Sequence, residues 1–208
     1  MLMQRTVDTA SSLGLRQCNA DAVASGDPVF ALADGIGDNP AAAHAARLAA
    51  DAAVLAGDPV AGVLAASAAL GSAAGDAVLV VAAARHDGYD VAWVGDARAY
   101  HWDGDTLSLL TRDQTVAEYF RSRGAVPAPR MEHVVTNTVR HCTPDNIGRA
   151  SVGSGTLVLT SDGVHGVLSH AEIAAIAGGG DAAARLVRAA LHAGGTDNAT
   201  ALVVGRNQ

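Results

Sequence analysis

Two pairs, Asn39-Pro40 and Asp58-Pro59, constrain this chain more than any other feature. Each joins a capping side chain to a proline suited to the first helical position, and each opens an Ala-rich stretch. They predict two helices, roughly 40 to 56 and 59 to 73, lying side by side because Gly57 leaves only a tight connection. Short β-rich segments follow, AVLVVAAARH (77 to 86), YDVAWVGD (89 to 96), ARAYHWDG (97 to 104) and TLSLLT (106 to 111), separated by Asp/Gly turns as in an antiparallel meander. A helix is expected from Asp113 to Gly124, then a surface excursion, AVPAPRMEHVV, and a buried strand, GTLVLTSD (155 to 162). Ser169 to Glu172 reads as a capping box, Asp181 to His192 as a helix stopped by Gly194-Gly195, and NATALVVG as a last strand. The order ββ, αα, a run of strands, αα, β does not alternate strand with helix, which argues against a parallel doubly wound sheet. The expectation is an α+β protein with antiparallel sheets and helices packed on their outer faces, and 208 residues fit a single domain spanning 1–208.

Half of the chain is apolar but only 3% is aromatic, so Ala, Val and Leu must build the core and small side chains must let helices approach closely. The net charge of -7, with no basic run, argues against nucleic-acid or anionic-membrane partners, which are bound mainly by clustered Lys and Arg. The stretch MLMQRTVDTASSLG lacks the pattern of a secretory leader, and no window reaches the ~18 apolar residues of a membrane span. A cytoplasmic location is expected. Cys18 and Cys142 fit no metal or redox spacing and read as two reduced thiols.

Acids mark the strand ends: VFALAD closes on Asp34, VAWVGD on Asp96 and LVLTSD on Asp162, while Asp197 opens NATALVVG. Each alone is also ordinary turn chemistry. Strands stacked side by side can bring such acids to one edge, where each close pair repels by ~4 kcal/mol at 4 Å in an effective dielectric of about 20. A hard divalent cation would offset that repulsion, and oxygen-only ligands select Mg²⁺ or Mn²⁺ over zinc. Asp34-Gly35 and Asp162-Gly163 share the pattern of apolar strand, Asp, Gly, and glycine would let a metal or phosphate come close to the backbone. The loop DGIGDN is not an EF-hand, since its sixth position is Asn39 and its twelfth Ala45. Cys142 and Arg149 are one residue too far apart for a cysteine-phosphatase loop, and GxSxG, GxxxxGK[ST] and GxGxxG patterns are absent.

Six blocks in order, RQCNAD (16 to 21), ALADGIGD (31 to 38), VGDAR (94 to 98), LTRDQT (110 to 115), LTSDGV (159 to 164) and GGTDNAT (194 to 200), resemble the metal-dependent type 2C (PPM) serine/threonine protein phosphatases in their small bacterial form. The resemblance implies a four-layer α-β-β-α sandwich. It further implies that Asp34 bridges two Mn²⁺ or Mg²⁺ ions, that the Gly35 carbonyl binds one, that Asp162 and Asp197 bind the other, and that Asp96 serves a weaker third site. Arg16 would bind the phosphate, a task suited to its planar fork. Asp21 and Asn198 would stand behind the ligands, Asp21 holding metal-bound water. The implied reaction is in-line attack on phosphoserine or phosphothreonine by a water bridging the two ions, with no phosphoenzyme. The implied setting is a monomer that opposes a serine/threonine kinase.

The chain departs from the family pattern at several positions. Ile36 stands where many members have His or Met, which removes a general acid and leaves the alkoxide to take its proton from water. Asp38 replaces the usual glycine, Ala20 a common Glu or Gln, Ala97 a common Ser, Gln114 a common His, and Gly166 an acid that often supports the third metal. Residues 125 to 133 match a short version of the family's flap. His165 is expected to be a solvated histidine at a helix start, and the other histidines to be surface or satisfied core groups. Two further readings stay open: a catalytically silent protein of this fold that binds phosphoproteins as a regulatory partner, and a hydrolase of small phosphate esters.

Overall fold

The computed structural model describes residues 5–206 of the chain, so Met1 to Gln4 of the stretch searched for a leader lie outside the described residues. In chain order the elements are β1 (Arg5–Ser12), β2 (Asp21–Gly26), β3 (Val29–Gly35), α1 (Pro40–Val54), α2 (Pro59–Leu70), β4 (Ala77–Arg85), β5 (Gly88–Val94), β6 (Arg98–Trp102) and β7 (Leu107–Leu109). There follow α3 (Val116–Arg121), a 3₁₀ turn (Pro129–Met131), β8 (Gly148–Gly153), β9 (Thr156–Thr160), α4 (Asp162–His165), α5 (His170–Ala177), α6 (Ala182–His192) and β10 (Ala199–Arg206). The strands form two five-stranded sheets, β1-β10-β9-β6-β7 and β2-β3-β4-β5-β8, in which the pairings are antiparallel.

Residue parity along the strands builds the layers. Phe30, Leu32, Val78, Val80, Val91 and Trp93 point between the sheets, where they meet Leu157, Leu159, Leu202 and Val204. Their neighbours Ala31, Ala33, Leu79, Val81, Ala92 and Val94 point outward under α1 and α2. Burying each large aliphatic side chain here stabilises the fold by roughly 1.5–3 kcal/mol. Helix α1 presents Ala42, Ala45, Ala46, Ala49, Ala50 and Ala53, the spacing of one helical face, and all six are fully buried. Its packing on α2 is close enough that a Cβ at Gly62 would meet the Ala53 carbonyl at 2.8 Å. The other sheet buries Val158, Tyr100, Ala201 and Val203 under α4, α5 and α6, with Leu186 and Ile173. The result is a helix, sheet, sheet, helix sandwich, and no helix among the described residues is long and apolar enough to cross a membrane.

Several sequence expectations are refined. Asn39 and Asp58 do cap α1 and α2 by accepting from the amides two and three residues on, but α2 stops at Leu70. The capping box at Ser169 and Glu172 is present. Asp181 does not cap α6 with its side chain; it sits in the left-handed region at φ 50, and the Ala183 amide donates instead to Asp8 on β1 at 2.9 Å. Helix α3 is shorter than expected because Thr115, not Asp113, caps it. Strand β8 had no strong sequence signal: its alternation is Ala150 and Val152 against polar partners, at the edge of the sheet beside β5. Cys18 and Cys142 are free thiols.

Candidate active site

The antiparallel register of β2 and β3 sets Asp21 directly opposite Asp34, an arrangement of like charges that costs stability in an ordinary sheet. Asp96 follows a turn at Gly95 after β5, Asp162 opens α4 immediately beyond β9, and Asp197 precedes β10. These strand ends meet at one edge of the sandwich. There Asp34, Asp96, Asp162, Asp197 and Arg16 line a single cleft of ≈ 250 Å³. The four acids that the sequence placed at strand ends therefore do converge, together with the arginine and the Gly35 backbone.

Each acid has its own support. The Gln114 carboxamide accepts from the Gly95 amide at 2.9 Å and donates to the Asn146 carbonyl at 2.8 Å, clasping the turn that carries Asp96. Asp113 is gripped by the fork of Arg98, at 2.9 Å from Nε and 2.7 Å from Nη2. Asp21 is buried; Ser161 Oγ donates to its Oδ2 at 2.8 Å, whereas its Oδ1 has no hydrogen-bond partner. Asn198 is buried as well, its Oδ1 accepting from the Ala20 amide at 2.8 Å and its Nδ2 donating to the Leu13 carbonyl at 2.9 Å. Asn198 thus ties the segment before β2 to the segment that holds Asp197. Arg16 Nη2 donates to Asp197 Oδ2 at 2.6 Å, with both side chains partly open to solvent.

Two expectations change here. The glycines after Asp34 and Asp162 are required by the protein's own backbone: a Cβ at Gly35 would collide with the carbonyls of Ala42 and Ala20, and one at Gly163 with that of Asn198. Their spare space is already filled, so close packing of loop on strand explains them before any ligand does. His165 is not a solvated histidine at a helix start. It ends α4, is 9% exposed, and its Nδ1 shares a hydrogen bond with Thr160 Oγ1 at 2.8 Å; burial holds its pKa well below 6.5, so it stays neutral. One cleft residue escaped sequence reasoning. His133, from the excursion after α3, lines the cleft with Nδ1 4.0 Å from Asp162 Oδ2, its side chain 77% exposed. Its place at the end of the flap-like segment was the available signal.

The electrostatics follow from burial and mutual repulsion. Burial first, then the charges of Asp21, Asp162, Asp96 and Asp197, push the Asp34 pKa well above 3.8. Burial raises Asp21 to about 6 and Asp96 to about 7, and burial with the Asp197 charge raises Asp162. The hydrogen bond from Arg16 to Asp197 raises the arginine. Among the described residues no three His, Cys, Asp or Glu side chains form a finished cage around one point. The acids instead line an open cleft, with Arg16 bonded to Asp197 at its rim. Their chemistry nonetheless fits hard divalent cations: the donors are all oxygens, Asp34, Asp96 and Asp162 are desolvated and repelled by neighbouring acids, and Asp21 keeps one buried oxygen unpartnered.

This strain is measurable. Asp96 takes its proton at about 7 in the fold, against 3.8 when exposed, so between those values the folded chain binds a proton that the unfolded chain has lost. Its stabilising share is complete below the lower value and disappears as pH rises through the upper one. With chelator present, Asp96→Asn will melt close to the parent near pH 4 and roughly 10 °C above it near pH 8, corresponding to about 4 kcal/mol. Identical melting curves across that range would refute the rise that burial, and then the neighbouring acids, impose on Asp96.

No protein-family model and no curated protein matches the chain. Solved structures do. The PPM Ser-Thr phosphatase MsPP from Mycobacterium smegmatis, in complex with cacodylate, is 25% identical over 97% of this chain and 98% of its own, with a TM-score of 0.80. The catalytic domain of the serine threonine protein phosphatase PstP, in complex with 2 manganese ions, is 24% identical over 98% and 99%, with a TM-score of 0.83. PppA of Pseudomonas aeruginosa, described as a key regulatory component of T6SS, is 23% identical over 98% of both chains, with a TM-score of 0.83. Over nearly its whole length this chain therefore has the fold of the PPM serine/threonine phosphatases, two antiparallel sheets between layers of helices.

Proposed function

We propose that the chain is a metal-dependent phosphatase that hydrolyses phosphoserine and phosphothreonine in proteins, opposing a serine/threonine kinase. The observation that carries this reading is the convergence of Asp34, Asp96, Asp162, Asp197 and Arg16 on one cleft, within a fold shared with serine/threonine phosphatases. Asp34, Asp162, Asp197 and the Gly35 carbonyl would hold two Mn²⁺ or Mg²⁺ ions, and Asp96 a weaker third. Bound there, the ions supply Lewis acidity and offset the repulsion among the carboxylates.

The side chains divide the remaining work. Arg16 offers its guanidinium to the phosphoryl oxygens, exchanging its bond to Asp197 for a charge-assisted grip on the substrate. Asp21 Oδ1, buried and without a hydrogen-bond partner, would accept a hydrogen bond from water behind Asp34 and so hold that water at the site. Ile36 has no proton to give, so the departing serine or threonine oxygen takes one from solvent at the open mouth. The whole of 1–208 acts as one catalytic domain, working as a monomer on a phosphoprotein.

A second reading, a silent phosphoprotein-binding regulator, is favoured by one feature: the Arg16 to Asp197 bond, at 2.6 Å, occupies the phosphate grip from within. Metal titration separates the two. Phosphothreonine peptide hydrolysis should rise by at least about a hundredfold on adding Mn²⁺ or Mg²⁺ and vanish in excess chelator. Turnover that persists in chelator would overturn the metal mechanism, and no turnover with either ion would leave the silent reading.

A further inference from the structure

Arg16 lies outside any regular element, in the turns between β1 and β2, so its position depends on whatever anchors residues 13 to 19. On one side the Leu15 amide donates to the Thr196 carbonyl at 2.8 Å, and Asn198 Nδ2 donates to Leu13. Gly14, at φ +61, is pressed against the Asp197 carbonyl, a site no side chain could share. On the other side Asn19 Nδ2 donates to Ser11 Oγ at 2.8 Å, but the two residues that directly follow Arg16 are anchored by one carboxylate. The Gln17 amide donates to Asp38 at 2.9 Å to Oδ1 and 3.1 Å to Oδ2, and the Cys18 amide donates to Asp38 Oδ1 at 2.8 Å. Asp38 itself is well founded, because Asn39 beside it caps α1 and the Ile36 amide donates to the Asp76 carbonyl at 2.9 Å.

We propose that Asp38 is a positioning residue for Arg16: its carboxylate fastens the Gln17 and Cys18 amides to the loop that carries Asp34, so that the guanidinium faces a phosphoryl group in the cleft. This rests on the phosphatase reading. Two effects of the Asp38 charge oppose each other. A negative group at the cleft wall repels a phosphate dianion, but this one is partly solvated and screened by salt. The backbone bonds are charge-assisted and hold the two residues directly beside Arg16, so geometry outweighs repulsion. Losing Asp38 should therefore weaken phosphate binding, where a purely electrostatic role would strengthen it.

Asp38→Ala and Asp38→Asn decide the matter, each made in the parent and in Arg16→Ala, with inorganic phosphate as the probe on Mn²⁺-loaded protein and amide hydrogen exchange followed over residues 14 to 19. Asp38→Ala should raise the phosphate Kd and the KM for a phosphothreonine peptide by about tenfold and speed exchange in that segment by a similar factor. Asp38→Asn keeps one acceptor and should stay within about threefold of the parent. In the Arg16→Ala background the Asp38→Ala effect on phosphate should shrink below about twofold, as a double-mutant cycle requires of a residue acting through the arginine. The proposal fails if Asp38→Ala binds phosphate as tightly as the parent or more so, or if its effect persists without Arg16. Should the parent neither bind phosphate nor hydrolyse peptides, the phosphatase reading falls; exchange over 14 to 19 unchanged by Asp38→Ala would then overturn the anchoring too, and faster exchange would uphold it.

Discussion

Asp34→Asn will leave a folded protein that has lost phosphopeptide hydrolysis by about a thousandfold or more. The substitution changes almost nothing in shape. It removes the one charge that faces Asp21, Asp162, Asp96 and Asp197 together, and with it the group through which position 34 would hold two cations. Asp34 and Asp162 already lie within hydrogen-bonding reach of each other, so the introduced carboxamide can donate to Asp162 and the loop need not move. Stability should shift the opposite way from activity. Removing a buried, repelled carboxylate relieves the metal-free protein, whose melting temperature near pH 8 should rise by about 2 °C or more. The parent should gain more stability from Mn²⁺ than the variant does, because a ligand stabilises only as far as it binds the folded state. Turnover of Asp34→Asn within tenfold of the parent would sink the assignment of Asp34, and loss of both activity and folding would place Asp34 in the structure rather than the site.

Much of this architecture was legible because local signals and long-range packing agree. Asn39-Pro40 and Asp58-Pro59 mark helix starts by capping chemistry that needs no tertiary context, and the strands of the inner layers are buried on both faces, so they read as continuous apolar runs. Strand β8 was illegible for the converse reason: GRASVG lies at a sheet edge, half polar, and is a strand only because β5 offers its backbone. The cap of α6 comes from Asp8, a contact of residues far apart in sequence, which no local pattern announces. At the site, the acids were recognisable by their strand ends, but the reasons for Gly35 and Gly163 were not. Only the fold shows that the carbonyls of Ala42, Ala20 and Asn198 fill the space where their side chains would stand. His165 misled for a similar reason, since nothing in LTSDGVH shows that the helical turn of α4 would carry it inward onto Thr160. The role of Asp38 was equally hidden, because its partners are amides of a loop twenty residues upstream.

Arg16→Ala should lower kcat/KM for a phosphothreonine peptide by about a hundredfold, and Arg16→Lys should recover little of it. A lysine can supply the charge but not two parallel donors, and its flexible stem would not keep the ammonium where Arg16 now stands beside Asp197. The loss will not come through stability. The pair is a surface one, with side chains 44% and 36% exposed, and such bridges contribute about 0–1 kcal/mol. Nor will it come through metal affinity, where the sign is reversed. Arg16 stands among Asp197, Asp38 and Asp162, so deleting its charge deepens the negative potential of the cleft and should draw Mn²⁺ in more strongly. The signature is therefore a variant whose half-saturating Mn²⁺ concentration stays level or falls while kcat/KM collapses. If Arg16 instead served chiefly to lock Asp197, the Ala variant would need more Mn²⁺ and would recover full turnover at saturation, and the phosphate grip would have to be sought elsewhere in the cleft.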